Sequence, residues 1–303
     1  MALKVVQTDF EKVLPRLRVF PALLSVHATV KLWLEGLTDE CDVQLFGYPR
    51  EKPSFWVAYK DNKYGKPFVI IQSTSCDREL FKRAVPAIFD LLAKQLDLKK
   101  AFEVVAITEI MELVRTWVFK QDTHPYRTLD EPCTLYYMDD EVNDRLQRED
   151  FKLPEGFEFT SLDRDNAVRL VEKLLYAGPE DVDLAKSRLA KMPSVGIRHT
   201  ATGDIASFEY NDGFGYITHQ YTYPEYRRMG FGKLVELRLS QLNIEKLGIW
   251  PCKGVSRNRP RVIGMTENSP WWLPINDKNG NPQEVYYTVF TKEAGSIIEM
   301  HEN

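Results

Sequence analysis

Tyr223-Pro224-Glu225-Tyr226-Arg227-Arg228-Met229-Gly230-Phe231-Gly232 is the stretch on which the reading of this chain turns. Before it, Tyr216 to Thr222 is rich in β-branched and aromatic residues and reads as a strand. After it, Lys233 to Leu247 continues an apolar stripe at helical spacing through Phe231, Leu234, Val235, Leu239 and Leu242. Gly248 supplies the stop, because a helix end favours a residue that tolerates positive φ. The stretch is therefore a strand-to-helix turn of the form Arg-x-x-Gly-x-Gly.

Such a turn has a definite chemical competence. The first N–H groups of a helix have no intrahelical acceptor, and the helix dipole adds partial positive charge there. Glycine at 230 and 232 leaves no Cβ to hold an anion away from those donors, and Arg227, Arg228 and Lys233 add cationic charge. The combination suits a pyrophosphate. A plain helix start would show the same pattern, so context matters. A second strand follows at Gly248 to Val255, and then Ser256-Arg257-Asn258, where Asn258 is placed to cap a helix from Arg259 to Glu267.

With those residues in view, the turn resembles the acyl-CoA loop of the GNAT acyltransferase superfamily. Tyr223-Pro224-Glu225-Tyr226-Arg227 and the downstream strand-Ser-x-Asn are similar, more narrowly, to the glycine N-acyltransferase family. The entry Phe151-Lys152-Leu153 with Ser161-Leu162-Asp163 shares that resemblance. It spans most of the chain and is strongest over residues 150–260. It implies acyl-CoA or CoA as the bound donor, no metal, and an amine acceptor that attacks the thioester directly. It also implies a cofactor site formed by Gln220, Tyr221, Thr222, Tyr223, Arg227, Arg228, Met229, Gly230, Phe231, Gly232, Lys233 and Asn258. The strands at 216–222 and 249–255 would splay apart around the pantetheine arm, with backbone groups near Gln220 to Tyr223 bonding it. Asn258 would hold that arm or cap its own helix.

The proton acceptor is the point of departure. The resemblance places a Glu on the strand before the loop, and that position here is Tyr216, a poor base at neutral pH with an ordinary pKa near 10. Glu209, on the neighbouring strand, and His219, with an intrinsic pKa in the useful range, are the two replacements. Strand alternation sets His219 with Ile217 and Tyr221, as a core histidine, unless a bulge re-aims it. The residue that many GNAT enzymes use to protonate the leaving thiolate is replaced by Met265. Cys252 reads as a packing thiol. Trp271 and Trp272 form either a surface loop or a wall of the acceptor pocket.

The whole chain follows the same logic. Its 303 residues suggest two domains. Helices are expected over 3–19, 21–35 and 77–96, with Asp77 as a cap and Pro86 denting the last. Strands are expected at Asp42 to Phe46, Phe55 to Tyr59, Phe68 to Gln72, Phe102 to Ile107 and Cys133 to Met138, with a helix from Thr108 to about Lys120. The second half repeats this order. A strand is expected at Phe157 to Ser161, helices at Asp165 to Tyr176 and from Pro179 to Lys191, and strands at Ser194 to His199, Ile205 to Tyr210 and Phe214 to Thr222. The loop helix, a strand, a short helix and a closing strand at Val285 to Phe290 complete it. The reading is α/β (α+β): tandem GNAT-like domains, each a central mixed, mostly antiparallel sheet flanked by helices. Residues 1–140 form a degenerate first copy, 141–152 a charged linker or short exposed helix, and 153–303 the acyl-CoA-binding copy. At the equivalent turn the first copy has Ser73 to Leu80, without glycine, and Asp77 and Glu79 would repel a phosphate.

Composition narrows the function classes. The net charge of −4 and the lack of clustered Lys and Arg argue against a nucleic-acid surface. No apolar run approaches the roughly 18 residues of a membrane span. Cys41, Cys76, Cys133 and Cys252 lack metal-ligand or disulfide spacing. Asp9 and Glu11 near the start are unlike an import peptide, so the cytoplasm is expected, with a mitochondrial location as the alternative that the resemblance carries. The function expected is acyl transfer from acyl-CoA to a small amine such as glycine or another amino acid. The alternatives are a protein or peptide N-acetyltransferase and a non-catalytic acyl-CoA binder.

Overall fold

The computed structural model describes residues 1–19, 21–121, 126–174, 178 and 180–292. In the first half β1 (Leu3–Val5) precedes α1 (Phe10–Arg18) and α2 (Leu24–Leu34). Then come β2 (Cys41–Tyr48), β3 (Phe55–Asn62), β4 (Phe68–Ser73), α3 (Arg78–Leu92), β5 (Phe102–Ile107), α4 (Thr108–Phe119) and β6 (Arg127–Tyr137). After α5 (Asp140–Leu146) the same order recurs, with β7 (Phe157–Thr160), α6 (Ala167–Val171), α7 (Glu180–Lys191), β8 (Ser194–His199) and β9 (Ile205–Asn211). It continues through β10 (Ile217–Thr222), α8 (Phe231–Leu242), β11 (Cys252–Ser256), α9 (Pro260–Glu267), the two-residue β12 (Leu273–Pro274) and β13 (Glu284–Thr291). Among these residues no helix is long and apolar enough to cross a membrane.

The chain's compact units are not its sequence halves. Among the described residues, one unit takes Met1–Tyr136, Gly254–Ser269 and Pro274 to Lys292; the other takes Tyr137–Lys253 and Pro270–Leu273. The reason is β13. Expected to close the second half, it lies instead in the first unit's sheet, whose order is β1-β2-β3-β4-β5-β13-β6. Val285 pairs with both Ile107 and Cys133, and the ring of Phe290 stacks on Phe102 at 5.1 Å. Only the β4–β5 pair in that run is parallel. A local strand pattern cannot say which of two similar sheets a strand will join.

The first unit's core is legible in its helices. α3 buries Leu80, Phe81, Ala84, Val85, Ile88, Phe89 and Leu92, alternating steps of one and three residues along one side. Asp77 caps it by accepting the Glu79 N–H, and Pro86 sits inside a helix that runs on to Leu92. α2 is buried on nearly every side, from Leu24 to Val30, and Gln72 satisfies its first turn by accepting from the Val26 N–H. Two expectations are corrected here. Leu3 to Val5, taken as the start of a helix, pairs antiparallel with β2 from Leu45 to Gly47, because tertiary pairing overrides a short local pattern. The stretch taken as a linker at 141–152 begins instead inside α5, capped by Asp139 and burying Val142 and Leu146, so apolar burial selects the helical alternative.

The second unit holds a four-stranded antiparallel sheet, β10-β9-β8-β7. One core cluster packs Leu162, Ala167, Leu170, Ala185 and Leu189 against Phe208 and Tyr210 of β9. Past Leu242, α8 continues as a wider π turn over Asn243–Leu247, and Gly248 ends it at φ 57°. A reciprocal amide pair, Asn211 with Asn243, ties that end to β9 at 2.8 and 2.6 Å. The strand expected from Phe214 starts at Ile217, because Asp212 accepts the N–H groups of Phe214 and Tyr216 and holds them in a turn. Tyr176 and Pro179, expected helix boundaries, lie outside the described residues.

Burial in the first unit has a measurable consequence. His27 of α2 is 5% exposed, and burial, with the charges of Arg18 and Lys31, pushes its pKa down to about 4. Below the unfolded value near 6.5 the unfolded chain takes the proton first, so stability falls between pH 6.5 and about 4. The expected slope from this residue is up to about 1.4 kcal/mol per pH unit. Urea unfolding of His27→Gln should show a correspondingly shallower acid loss, and an unchanged slope would disprove the assignment.

Candidate functional site

Two residues of β10 stand opposite one residue of β9. Thr218 pairs with Tyr210 and Tyr221 with Phe208, so His219 and Gln220 share the position facing Glu209. This is a β-bulge, and His219 takes a φ of 57° within it. The bulge breaks the alternation expected from the sequence. It swings the His219 ring onto Tyr210, with centroids 4.7 Å apart, and sends the Gln220 amide toward α8.

That amide joins the two parts of the site. Gln220 Nε2 donates to Glu209 Oε2 at 3.0 Å and to the Gly232 carbonyl at 3.0 Å. A Cβ on Gly232 would stand 3.1 Å from Gln220 Oε1, so glycine there permits the close approach of strand and helix. Gly230 is the residue before α8, at φ 81°, and no side chain caps the helix. The Leu234 N–H reaches the Gly230 carbonyl at 3.2 Å, which leaves the amides of Phe231, Gly232 and Lys233 without an acceptor among the described residues. Arg227, Arg228, Met229, Gly230 and Lys233 are exposed around this end, whereas Phe231 is buried against Phe157. The contrast with the first copy is chemical, since at the matching helix start Asp77 fills the same kind of position with its own carboxylate.

The rest of the loop braces itself. Arg227 Nε donates to the Thr222 carbonyl at 3.2 Å, and its guanidinium lies over the Tyr221 ring. Thr222 Oγ1 meets Ser207 Oγ at 2.8 Å, and the Tyr223 N–H goes to the Ala206 carbonyl. Tyr221 and Tyr223 meet edge to face. β10 is the edge of its sheet; just before it, Tyr216 forms an isolated parallel bridge with Cys252, and Cys252 Sγ donates to the Gly215 carbonyl at 3.4 Å.

Three of the expected site residues sit differently from their sequence reading. Tyr216 is 3% exposed and packs edge to face with Phe214, which makes it a core ring. His219 carries a pKa pushed down to about 3, first by burial and then by the charge of Arg188, so it is neutral and weakly basic. Asn258 belongs to the first unit. Its side chain donates to Glu131 at 3.4 Å and does not cap α9, whose start at Pro260 needs no N–H acceptor at that residue.

Glu209 is 3% exposed, and burial raises its carboxyl well above the usual carboxylate range. The charge of Glu236 raises it further, while the Gln220 hydrogen bond and Lys253 pull it back. Glu236, Lys253 and Trp272 form a group that single-sequence reasoning missed. Lys253 Nζ is 2.5 Å from Glu236 Oε1 and 4.3 Å from the Trp272 ring centroid, and Trp272 Nε1 donates to Glu236 Oε2 at 2.9 Å. Glu236 stands one helical turn after Gly232, but its partners lie far along the chain, and no spacing rule announces them.

No family model and no curated protein matches the chain. Solved structures do. A Drosophila melanogaster protein superposes with a TM-score of 0.74 at 13% identity, covering 96% of this chain and 98% of that one. A tandem GNAT protein from the clavulanic acid biosynthesis pathway gives 0.51 at 10% identity, over 96% and 98%. A putative acetyltransferase from Pyrococcus horikoshii gives 0.51 at 14% identity, over 100% and 91%. The fold is a tandem GNAT fold. Within it, the second unit carries the glycine-bearing turn and the first does not.

The Lys253–Glu236 pair is 10% and 15% exposed, so removing one partner strands a charge. Lys253→Met should lower stability by about 3 kcal/mol, and Glu236→Gln/Lys253→Met together by much less. Equal losses in a thermal denaturation series would show that the pair is not coupled.

Proposed function

We propose that this protein moves an acyl group from acyl-CoA to a small primary amine, and that the second unit does the chemistry. The observation that carries the reading is the uncapped start of α8 with a buried carboxyl linked to it through one amide. The free amides of Phe231, Gly232 and Lys233, with Gly230 before them and Arg228 and Lys233 exposed beside them, fit a pyrophosphate. The open edge of β10 fits an extended pantetheine arm. The resemblance of Tyr223 to Arg227 to the glycine N-acyltransferase loop supports a small acceptor over a protein.

The acyl donor supplies a thioester carbonyl carbon. The amine must reach it uncharged, and Glu209 is the group to take its proton. A carboxylate whose pKa burial has raised is a stronger base than an exposed one. The new C–N bond forms as the C–S bond breaks, Glu209 accepts the proton lost by nitrogen, and the departing thiolate takes one from solvent. Gln220 orients the carboxyl throughout, because its N–H holds one oxygen and leaves the other to the amine. His219, neutral and on the other side of the bulge, is not needed for this transfer.

Two variants test the two halves of the reading. Glu209→Gln should lower kcat about 100-fold in a thiol-release assay over a panel of amines, with CoA affinity unchanged by calorimetry. Normal turnover in that variant would remove Glu209. Gly230→Val, forced to adopt φ near 81°, should lose CoA binding while keeping its circular dichroism. Unaltered affinity would refute the loop assignment, and CoA binding with no thiol release from any amine would leave only a binder.

A further inference from the structure

Arg188 is a buried cation without a counter-ion. It lies on the inner side of α7, beside Leu189 and one turn after Ala185, both of which pack against Phe208 and Tyr210. A surface arginine buries its stem and keeps the guanidinium in water. Here the whole residue is 8% exposed, Nε has no hydrogen-bond partner, and no carboxylate pairs with it among the described residues. Asp181, the acid whose charge also reaches Tyr210, accepts the Gly178 N–H through Oδ2 at 2.6 Å.

A lysine in this position could shed its proton, whereas a guanidinium stays charged at any pH a protein survives. An isolated charge away from water is strongly unfavourable unless an anion joins it. Two further donors stand nearby. The charge of Arg188 acts on Tyr210 and on His219, whose rings stack with centroids 4.7 Å apart. Burial keeps the Tyr210 hydroxyl protonated and His219 a neutral imidazole with one N–H, so each has a proton to donate. The group thus carries one positive charge and two neutral donors. One negative charge balances it, and a dianion would leave a buried charge over. Tyr210 and Glu209 are consecutive on β9 and face opposite sides of the sheet, so the guest lies apart from the carboxyl chemistry proposed above.

We infer that Arg188, Tyr210 and His219 bind one small monovalent anion, chloride or a small carboxylate such as formate, between α7 and the sheet. The site stands whether or not the acyl-transfer reading does. The bulge is part of it, since a regular β10 would carry the His219 ring elsewhere. The guest ties α7 to β9 and β10, so the concentration of that anion sets the stability of the second unit.

The test is urea unfolding of the full chain at fixed sodium concentration, with chloride replacing a bulky sulfonate buffer anion. Wild type should gain stability along a binding curve: at about 100 times the dissociation constant, the unfolding equilibrium constant falls about 100-fold. Arg188→Met, with no charge to balance, should lose this saturable gain. Gly230→Val, altered at the start of α8, should keep it, which separates this site from the anion-competent turn there. Formate in place of chloride decides between the two sources, the tighter ion being the better guest. An equal saturable gain in Arg188→Met, or none in wild type with either ion, overturns the site, as does tighter binding of sulfate than of both. Should Arg188→Met not fold, the His219 imidazole resonance of wild type decides by NMR. A saturable shift on adding chloride or formate supports the site, and no shift refutes it.

Discussion

One extra residue in one strand sets most of what is distinctive in the second unit. Because His219 and Gln220 together oppose Glu209, neither can follow the ordinary alternation of β10. Gln220 is turned toward α8, where its amide bonds both a buried carboxyl and the carbonyl of a glycine in the first turn. His219 is turned the other way, onto Tyr210. The bulge thus couples the start of a helix, which is competent for a phosphate, to a carboxyl competent for a proton. A regular strand would place one or the other of these side chains correctly, but not both.

The duplication supplies an internal control. Both copies run strand, two helices, three strands, helix, strand, helix and strand in sequence, and both make a strand-to-helix turn at the same place. In the first copy Ser73, Ser75 and Asp77 hydrogen-bond the backbone of that turn themselves. In the second copy Gly230 and Gly232 do not, and the amides stay open. Capping a helix from within stabilises it by typically about 1 kcal/mol, which the second copy forgoes. That difference between two equivalent turns on a similar scaffold supports the ligand site proposed above.

Much of this was legible in the sequence, and the failures have physical causes. The glycine turn, the amphipathic stripe of α3, the cap at Asp77 and the stop at Gly248 are local features, and local chemistry announces them. β13 was legible as a strand yet not as a member of the first unit's sheet, since Val285 and Phe290 would suit either sheet equally. The bulge at His219 left no mark beyond a β-branched and aromatic run, because a bulge is decided by its partner strand. Tyr216 was counted to a catalytic position by motif spacing, and Asp212, holding its N–H, shifted the strand start past it. The Glu236–Lys253–Trp272 group was invisible for the same reason: its meaning comes from burial and from partners distant in the chain.

Burial also explains why Glu209, and not the more familiar histidine, is suited to take a proton. Desolvation disfavours whichever form is charged, so one environment moves the two groups in opposite senses. It raises the carboxyl, making Glu209 a stronger base than a carboxylate in water, and it lowers the imidazole, making His219 a weaker base than histidine in water. Arg188 deepens the second effect and is not among the charges that act on Glu209. Glu236 does the reverse for Glu209, and Lys253 limits how far it can go. The strand therefore separates a basic carboxyl on one face of the sheet from a neutral imidazole on the other.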